Sequence, residues 1–308
     1  MRTDFYYDSL GVGKIHGCRW TPEEEPVAVV QILHGIAEYV ERYDAFAEFL
    51  NQMGILVVAE DHMGHGKSFQ NGGMQGYFEG GWFTAVDDSY RLLRMTMEEF
   101  PGLPYVLMGH SMGSFMARTI LTRYPNSGIV GAIICGTGWQ PEAVLKLGLG
   151  VCKLVCRGDG EKKPNQMLHN MMFGGYNKRV EHQRTEFDWL NRDAQQVDIY
   201  VADPLCGFVA CAGLLRDMLT GIAYIQKREN LECMNLELPV FFIAGGDDPV
   251  GGYGKTVRKT AAVFRDVGMR QVSERIYPLC RHEILNEINR EEVFADVAGW
   301  LKTIIAHT

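Results

Sequence analysis

Gly109-His110-Ser111-Met112-Gly113 stands between an apolar run at residues 104–108 and a helix-like stretch that extends to residue 124. In this setting of strand, sharp turn and helix, the serine of a G-x-S-x-G pattern becomes a nucleophile. A turn that lifts the serine hydroxyl above a sheet brings strand and helix so close that glycine is needed on both sides. The segment therefore predicts a nucleophilic Ser111. The alternative is a turn of small residues that merely contains a serine.

Outward from this turn, short apolar segments alternate with segments of helical periodicity. Residues 4–7 and 14–20 flank a glycine turn and predict an opening hairpin. The alternation predicts an α/β fold with a mostly parallel sheet covered by helices on both faces. Strands are expected at 27–33, 55–59, 104–108, 129–135, 239–244 and 271–277, and helices at 42–53, 84–100, 111–124, 255–267 and 291–306.

The segment 140–236 interrupts this alternation. It carries no strand signal and is rich in Met, Leu, Trp and Phe at helical spacing. We interpret it as a helical cap inserted after the sixth strand. The predicted organisation is therefore a core formed by residues 1–139 and 237–308, with residues 140–236 as the cap.

Composition and charge exclude several classes of protein. The 308 residues are 46% hydrophobic with a net charge of −8, and no run of Lys or Arg resembles a phosphate-tracking stripe, so we expect no nucleic-acid partner. No apolar run reaches the roughly 20 residues that span a bilayer, and the start does not resemble a signal peptide, so we expect a cytoplasmic protein. The eight cysteines form no C-x-x-C pair and suit reduced, mostly buried thiols.

A nucleophilic serine needs a base and a carboxylate that orients the base, and in this fold class they follow in the order serine, acid, histidine. Of the nine histidines, only His282 and His307 lie beyond the late acidic candidates, and His307 is at the frayed end of the chain. His282 follows an expected strand and is the predicted base. Asp247 and Asp248 follow another strand. We favour Asp248, because Pro249 biases its backbone toward an extended conformation.

Two backbone amides are expected to hold the oxyanion. Met112 begins the helix after the nucleophile, where free N–H groups and the helix dipole favour negative charge. The second donor should come from the loop after the strand at 27–33, and Ile36 is our choice. Glu38 in the same loop either braces the loop or contacts a substrate hydroxyl or amine.

These motifs resemble the monoacylglycerol lipase and lysophospholipase-like branch of the α/β-hydrolase superfamily, which has serine-aminopeptidase relatives. The resemblance covers nearly the whole chain and implies an α/β-hydrolase fold with Ser111, Asp248 and His282 as the triad. It also places the oxyanion amides on Ile36 and Met112, although relatives often carry smaller residues at positions 36 and 37. The motifs are His34-Gly35-Ile36-Ala37-Glu38, Arg42-Tyr43, Asp61-His62-Met63-Gly64-His65-Gly66-Lys67-Ser68, Gly109-His110-Ser111-Met112-Gly113-Ser114 and Gly246-Asp247-Asp248-Pro249-Val250.

The cap sequence bears on the substrate. Met171, Met172 and Phe173 are candidate wall residues for an acyl chain, because methionine adapts to flexible apolar ligands; the alternative is that they form the core of the cap. Residues 144–155 fit a helix on a membrane surface and a buried cap helix equally well. A metal site at residues 61–68 is disfavoured, because no third ligand is apparent and the triad needs no metal; we expect no cofactor.

The resemblance implies hydrolysis of an apolar carboxylic ester, such as a monoacylglycerol or a lysophospholipid-like ester, through an acyl-enzyme on Ser111. The expected partner is thus a small apolar ester, with transient contact between cap and membrane as an added hypothesis. The sequence does not indicate an oligomeric state. Two alternatives remain: an aminopeptidase or amidase with the same triad, in which Glu38 or a cap carboxylate binds the substrate amine, and a ligand-binding protein with slow turnover.

Overall fold

A computed structural model, which describes residues 1–307, contains a central sheet of eight strands. The strands are β1 (Arg2–Asp8), β2 (Lys14–Trp20), β3 (Ala28–Leu33), β4 (Ile55–Glu60), β5 (Tyr105–His110), β6 (Gly131–Cys135), β7 (Val240–Gly245) and β8 (Val272–Tyr277). Their order in the sheet is β1-β2-β4-β3-β5-β6-β7-β8. β1 pairs antiparallel with β2, and β2 pairs antiparallel with β4. All other neighbours are parallel, so the carboxyl ends of β3 to β8 share one edge.

Helices cover both faces of the sheet, because the central strands are predominantly apolar and buried on both faces. Every residue of β3, β4, β5, β6 and β7 is buried, as expected of a parallel sheet between two layers. On one face pack α2 (Gly81–Glu99), α3 (Met112–Arg123) and α9 (Lys255–Asp266), and on the other α1 (Asp44–Asn51) and α10 (Arg290–Ile305). The predicted α/β architecture is confirmed.

Five helices lie between β6 and β7, in the segment that the sequence marked as an insertion. They are α4 (Glu142–Val155), α5 (Gln166–Phe173), α6 (Ala194–Ala202), α7 (Ala212–Ile225) and α8 (Arg228–Leu231). α7 packs on α4 within the insertion and on α2 and α3 beneath it. The insertion is therefore seated over the carboxyl-end edge through one central helix, while its exact bounds stay a prediction.

Some boundaries differ from the predicted ones. The helix expected at 42–53 is a 3₁₀ turn, Val40–Tyr43, followed by α1. The helix expected from residue 84 begins at Gly81 and follows Gly80, which has φ 88°. Glycine is a poor helix former, so the start of this helix gives little helical signal in the sequence. Six of the eight cysteines are buried, which confirms that most of these thiols are buried. Among residues 1–307, no helix has both the length and the apolar character needed to cross a membrane.

Candidate active site

Ser111 lies at the turn between β5 and α3, where the sequence placed it. Its backbone adopts φ 53° and ψ −119°, a strained conformation for a residue with a side chain. A β-carbon on Gly109 would lie 2.2 Å from the Gly113 carbonyl oxygen, and one on Gly113 would lie 2.0 Å from the Leu33 carbonyl oxygen. The two glycines are thus required by close approach of strand, helix and the neighbouring loop.

Asp248 and His282 meet beyond the ends of β7 and β8. The Nδ1 atom of His282 lies 2.9 Å from Oδ2 of Asp248, and both side chains are buried. The other carboxylate oxygen of Asp248 accepts a hydrogen bond from the Val250 N–H at 2.8 Å, which fixes the orientation of the carboxylate. Asp247 is exposed. Of the two aspartates that the sequence offered, the structure brings Asp248 to His282.

The His282 ring is held from two sides. Its centroid lies 4.7 Å from that of His110, the residue before the serine, and 5.1 Å from that of Trp189 in the insertion. Ser111 and His282 both line a cavity of about 460 Å³ between the sheet edge and the insertion. The serine and the histidine therefore both border a space that could hold a ligand.

The loop after β3 runs beside the serine. A β-carbon on Gly35 would lie 3.1 Å from the Ser111 β-carbon, and Ile36 and Met112 both line the cavity. Met112 is the first residue of α3, so its N–H has no acceptor within the helix. Both residues chosen from the sequence thus border the cavity that Ser111 lines, and their role as oxyanion donors stays a prediction.

The insertion fixes the far end of this loop. The Tyr200 hydroxyl donates to the Ala37 carbonyl oxygen at 2.8 Å, and the Gly207 N–H donates to the same oxygen at 3.0 Å. Ala37 has φ 54°, a left-handed conformation in which an alanine is strained. The cap thereby supports the loop from above. Sequence reasoning did not predict the contacts of Tyr200 with Ala37 and of Trp189 with His282, because each joins segments more than 80 residues apart.

Glu38 lies beneath the same loop with its carboxylate enclosed. Its Oε1 atom accepts from the Gly35 N–H at 2.6 Å and from the Tyr43 hydroxyl at 3.0 Å, and it lies 3.1 Å from His110 Nδ1. Its Oε2 atom accepts from Arg42 at 2.9 Å. These contacts favour the bracing role. Glu38 also lines the cavity, so its other expected role, contact with a substrate hydroxyl or amine, stays a prediction.

Electrostatics in this cluster keep Glu38 ionised. Burial acts to raise the pKa of Glu38, but the hydrogen bond with His110 and the charge of Arg42 outweigh burial and lower it. Burial acts to lower the pKa of His110, and Glu38 outweighs burial there and raises it. Arg42 also makes a two-pronged ion pair with Glu283, at 2.6 and 2.7 Å, beside the histidine of the site. One buried network thus joins the oxyanion loop to the His282 loop.

We expect Glu38→Gln to lower kcat about 10- to 100-fold for every substrate with little change in KM. The variant loses charge-assisted hydrogen bonds worth about 1.5–3 kcal/mol, and the loop then holds the oxyanion donors less firmly. Steady-state kinetics on esters with and without a free hydroxyl in the leaving group would check this, with exposed Glu48→Gln as the control. A loss confined to hydroxyl-bearing substrates would contradict bracing.

The cavity reaches into the insertion. Met171, Met172 and Phe173 on α5 all line it, as the sequence suggested. Met172 and Phe173 are partly buried and pack against the hydrophobic core, so they belong both to the cavity wall and to the core. Met171 is 57% exposed. Further apolar lining comes from α3, α4, α7 and a loop, with the residues Phe115, Leu147, Phe208, Leu219 and Ile222.

The chain is similar in sequence to known hydrolases. Residues 24–289 match the family profile Hydrolase_4, described as "Serine aminopeptidase, S33". The chain belongs to this family. The hydrolase is 26% identical over 304 residues to a monoacylglycerol lipase of Mycolicibacterium smegmatis, covering 97% of each chain, and 27% identical to the mouse monoglyceride lipase, covering 88% of this chain and 84% of the relative.

A solved structure extends the likeness to three dimensions. The hydrolase superposes on a thermostable carboxyl esterase from Bacillus coagulans, solved with glycerol, with a TM-score of 0.92 and 29% identity over 99% of both chains. Together with the family match, this confirms the resemblance to the α/β-hydrolase superfamily and the fold that it implied.

Proposed function

We propose that this hydrolase is a serine esterase that cleaves monoacylglycerols or similar single-chain lipid esters through an acyl-enzyme on Ser111. The observation that carries the proposal is the 2.9 Å contact between Asp248 and His282 at the edge of the cavity that Ser111 also lines. Such a pair beside a strained serine is the arrangement that activates a hydroxyl.

In the proposed reaction, His282 takes the proton of the Ser111 hydroxyl as its oxygen attacks the ester carbonyl carbon. The amides of Ile36 and Met112 hold the resulting oxyanion, and His282 then protonates the leaving alcohol. Water repeats the sequence on the acyl-enzyme and releases the acid. Asp248 keeps the imidazole oriented and offsets its positive charge. Each oxyanion donor contributes about 10²–10³ to the rate.

The cavity supports an acyl substrate. Its walls from α3, α4, α5 and α7 are largely aliphatic and aromatic, and methionines suit a flexible chain. Polar groups, among them Asn170, Asn177 and Glu186, lie along other parts of the lining. The names of the M. smegmatis and mouse relatives point to the same substrate class.

The proposal is tested with a panel of monoacylglycerols, p-nitrophenyl esters and amino-acid arylamides, varied in chain length. We expect the highest kcat/KM for an ester of a medium or long single acyl chain. Arylamide cleavage exceeding ester cleavage would overturn the ester assignment, and a stable adduct without repeated turnover would indicate a ligand-binding protein.

The aminopeptidase alternative has one observation in its favour besides the family description. Glu186 lines the cavity and could receive a substrate amine. Glu38, the other carboxylate considered, is already held by Arg42, Tyr43 and the Gly35 amide. The arylamide arm of the panel, repeated with Glu186→Gln, distinguishes the two functions.

We expect Phe173→Ala and Met172→Ala to shift the chain-length preference toward longer acyl groups and to lower kcat/KM for the best wild-type ester about tenfold. Each truncation enlarges the cavity and removes apolar contact worth about 1–3 kcal/mol. The exposed neighbour Met167, which does not line the cavity, provides the control Met167→Ala. An unchanged preference in both pocket variants would show that these residues are only cap core.

Contact of the cap with a membrane belongs to the same proposal. α4 buries Leu145 and Cys152 but exposes Val144, Leu147 and Leu154, so it has both a buried face and an apolar exposed one. The exposed row suits a surface of single-chain lipid or bilayer. Co-sedimentation with phosphatidylcholine vesicles should fall on Leu147→Glu with Leu154→Glu; unchanged binding would contradict this contact. Cytoplasmic location stays a prediction.

A further inference from the structure

A second cluster of reactive side chains lies on the opening hairpin. Asp4 of β1 and His16 and Cys18 of β2 place one carboxylate oxygen, one ring nitrogen and one sulfur within 4.8 Å of one another. None of the three residues lines the cavity at Ser111. The reaction proposed for Ser111 makes no use of them.

Strand geometry explains how these residues meet. His16 and Cys18 are two positions apart on β2, so their side chains leave the same face of the sheet. Asp4 is the direct partner of Cys18 across the hairpin, and side chains of such pairs lie side by side. The sequence signal is thus an H-x-C pair with an aspartate opposite, which becomes visible only when the hairpin register is known.

The distances suit a single metal ion. His16 Nε2 lies 3.9 Å from Cys18 Sγ and 3.6 Å from Asp4 Oδ2, and Cys18 Sγ lies 3.4 Å from Asp4 Oδ1. Tetrahedral zinc bonds of about 2.0 Å to nitrogen or oxygen and 2.3 Å to sulfur separate ligand atoms by about 3.3–3.6 Å. The two Asp4 distances are to different oxygens of its carboxylate, so a turn of that side chain, together with small shifts, would bring one oxygen, Nε2 and Sγ into coordination range.

A buried carboxylate already orients the histidine. His16 Nδ1 lies 2.7 Å from Asp61 Oδ2, and both side chains are fully buried. The Val40 N–H and the Lys67 N–H donate to the same Asp61 carboxylate at 2.9 and 2.8 Å, and these hydrogen bonds fix its orientation. A proton held on Nδ1 by Asp61 leaves the lone pair of Nε2 facing Cys18 and Asp4. Carboxylate, histidine and metal are commonly arranged in this way.

We propose that Asp4, His16 and Cys18 bind one divalent zinc-type ion, with Asp61 as the carboxylate that orients His16. Thiolate, imidazole and carboxylate are the ligands that zinc prefers, and a water molecule would supply the fourth ligand. The Cys18 proton is released to solvent as the sulfur–metal bond forms. Lys67 lies 3.3 Å from Asp4, but its shorter contact, 2.6 Å, is to Glu41, which retains it when Asp4 turns to the ion.

Binding should depend on pH. In the metal-free protein the Cys18 thiol donates to Oδ1 of Asp4 at 3.4 Å. The ion must displace this proton, and its apparent affinity therefore falls as pH falls. A bound ion would join the two hairpin strands to the Asp61 loop, and so its expected effect is on stability.

The test is titration of chelator-treated protein with Co²⁺ and then Zn²⁺. We expect thiolate-to-cobalt charge-transfer absorption that saturates at one ion per chain and disappears on displacement by Zn²⁺. Cys18→Ser should abolish the absorption, and Asp4→Asn, at an exposed position, should weaken binding about 10- to 100-fold. Zinc should raise Tm in the wild type more than in Asp4→Asn.

Two control variants test whether the cobalt absorption depends on Cys18 in particular. Cys233→Ser removes an exposed thiol elsewhere and should leave the cobalt absorption unchanged, as should Ser111→Ala. The proposal is overturned by absence of absorption in the wild type, by its persistence in Cys18→Ser, or by its loss in Cys233→Ser. Because the readout is metal binding, its failure would leave the esterase assignment untouched.

Discussion

Ser111→Ala is expected to lower kcat of ester hydrolysis by about 10⁴–10⁶-fold, because without the hydroxyl no acyl-enzyme can form. Residual rate would come from the oxyanion amides and from substrate positioning. The fold should persist, since the alanine keeps the β-carbon and Ser111 makes its backbone contact through its N–H to the Cys135 carbonyl oxygen, at 3.0 Å. Initial rates on the best ester of the panel provide the measurement.

A second serine serves as the control for this loss. Ser273 is exposed on β8, and Ser273→Ala should retain wild-type kcat. Circular dichroism and Tm of both variants should match the wild type within a few degrees. More than about 1% of wild-type kcat in a folded Ser111→Ala protein is incompatible with a nucleophilic serine at this position.

Asp248→Asn is expected to lower kcat by about 10⁴-fold, whereas Asp247→Asn should change it less than about threefold. An amide in place of the carboxylate can donate to Nδ1 of His282, so the imidazole takes the tautomer that cannot accept the serine proton. The buried carboxylate of Asp248 lies 2.9 Å from that nitrogen, whereas Asp247 is exposed. The same kcat assay on the two variants compares neighbouring residues of identical chemistry.

This pair of variants decides between the two aspartates that the sequence left open. A large loss in Asp247→Asn with little loss in Asp248→Asn would reverse the assignment of the acid. Comparable small losses in both would show that His282 is oriented by another group, and the proposed triad would then fail.

The fold and the outline of the site could be predicted because their signals are local. Gly109 and Gly113 around Ser111 are required by backbone contacts within one strand-turn-helix unit. Apolar strands that follow one another in a parallel sheet end at the same edge, which is why the loops bearing Asp248 and His282 meet there. The bias from Pro249 toward Asp248 was likewise a local signal.

Other features depend on contacts that no local pattern encodes. Trp189 packs against His282, and Arg42 pairs with Glu283 from a position 241 residues earlier in the chain. Asp61 was considered only with His62 and His65, its neighbours in sequence, yet its carboxylate contacts His16 on the hairpin. The residue types indicated that Arg42, Glu283 and Asp61 could form polar contacts. Which residues they contact is determined by the tertiary packing.

The most direct measurement of the central claim is labelling with an alkyl fluorophosphonate followed by mass-spectrometric mapping of the adduct. A serine activated by His282 attacks phosphorus and keeps the phosphonyl group, whereas ordinary serines do not react at this rate. The proposed mechanism predicts one adduct per chain, on Ser111, formed in competition with the ester substrate and absent from Ser111→Ala. Failure of the wild-type protein to label, or equal labelling of Ser111→Ala, would contradict it.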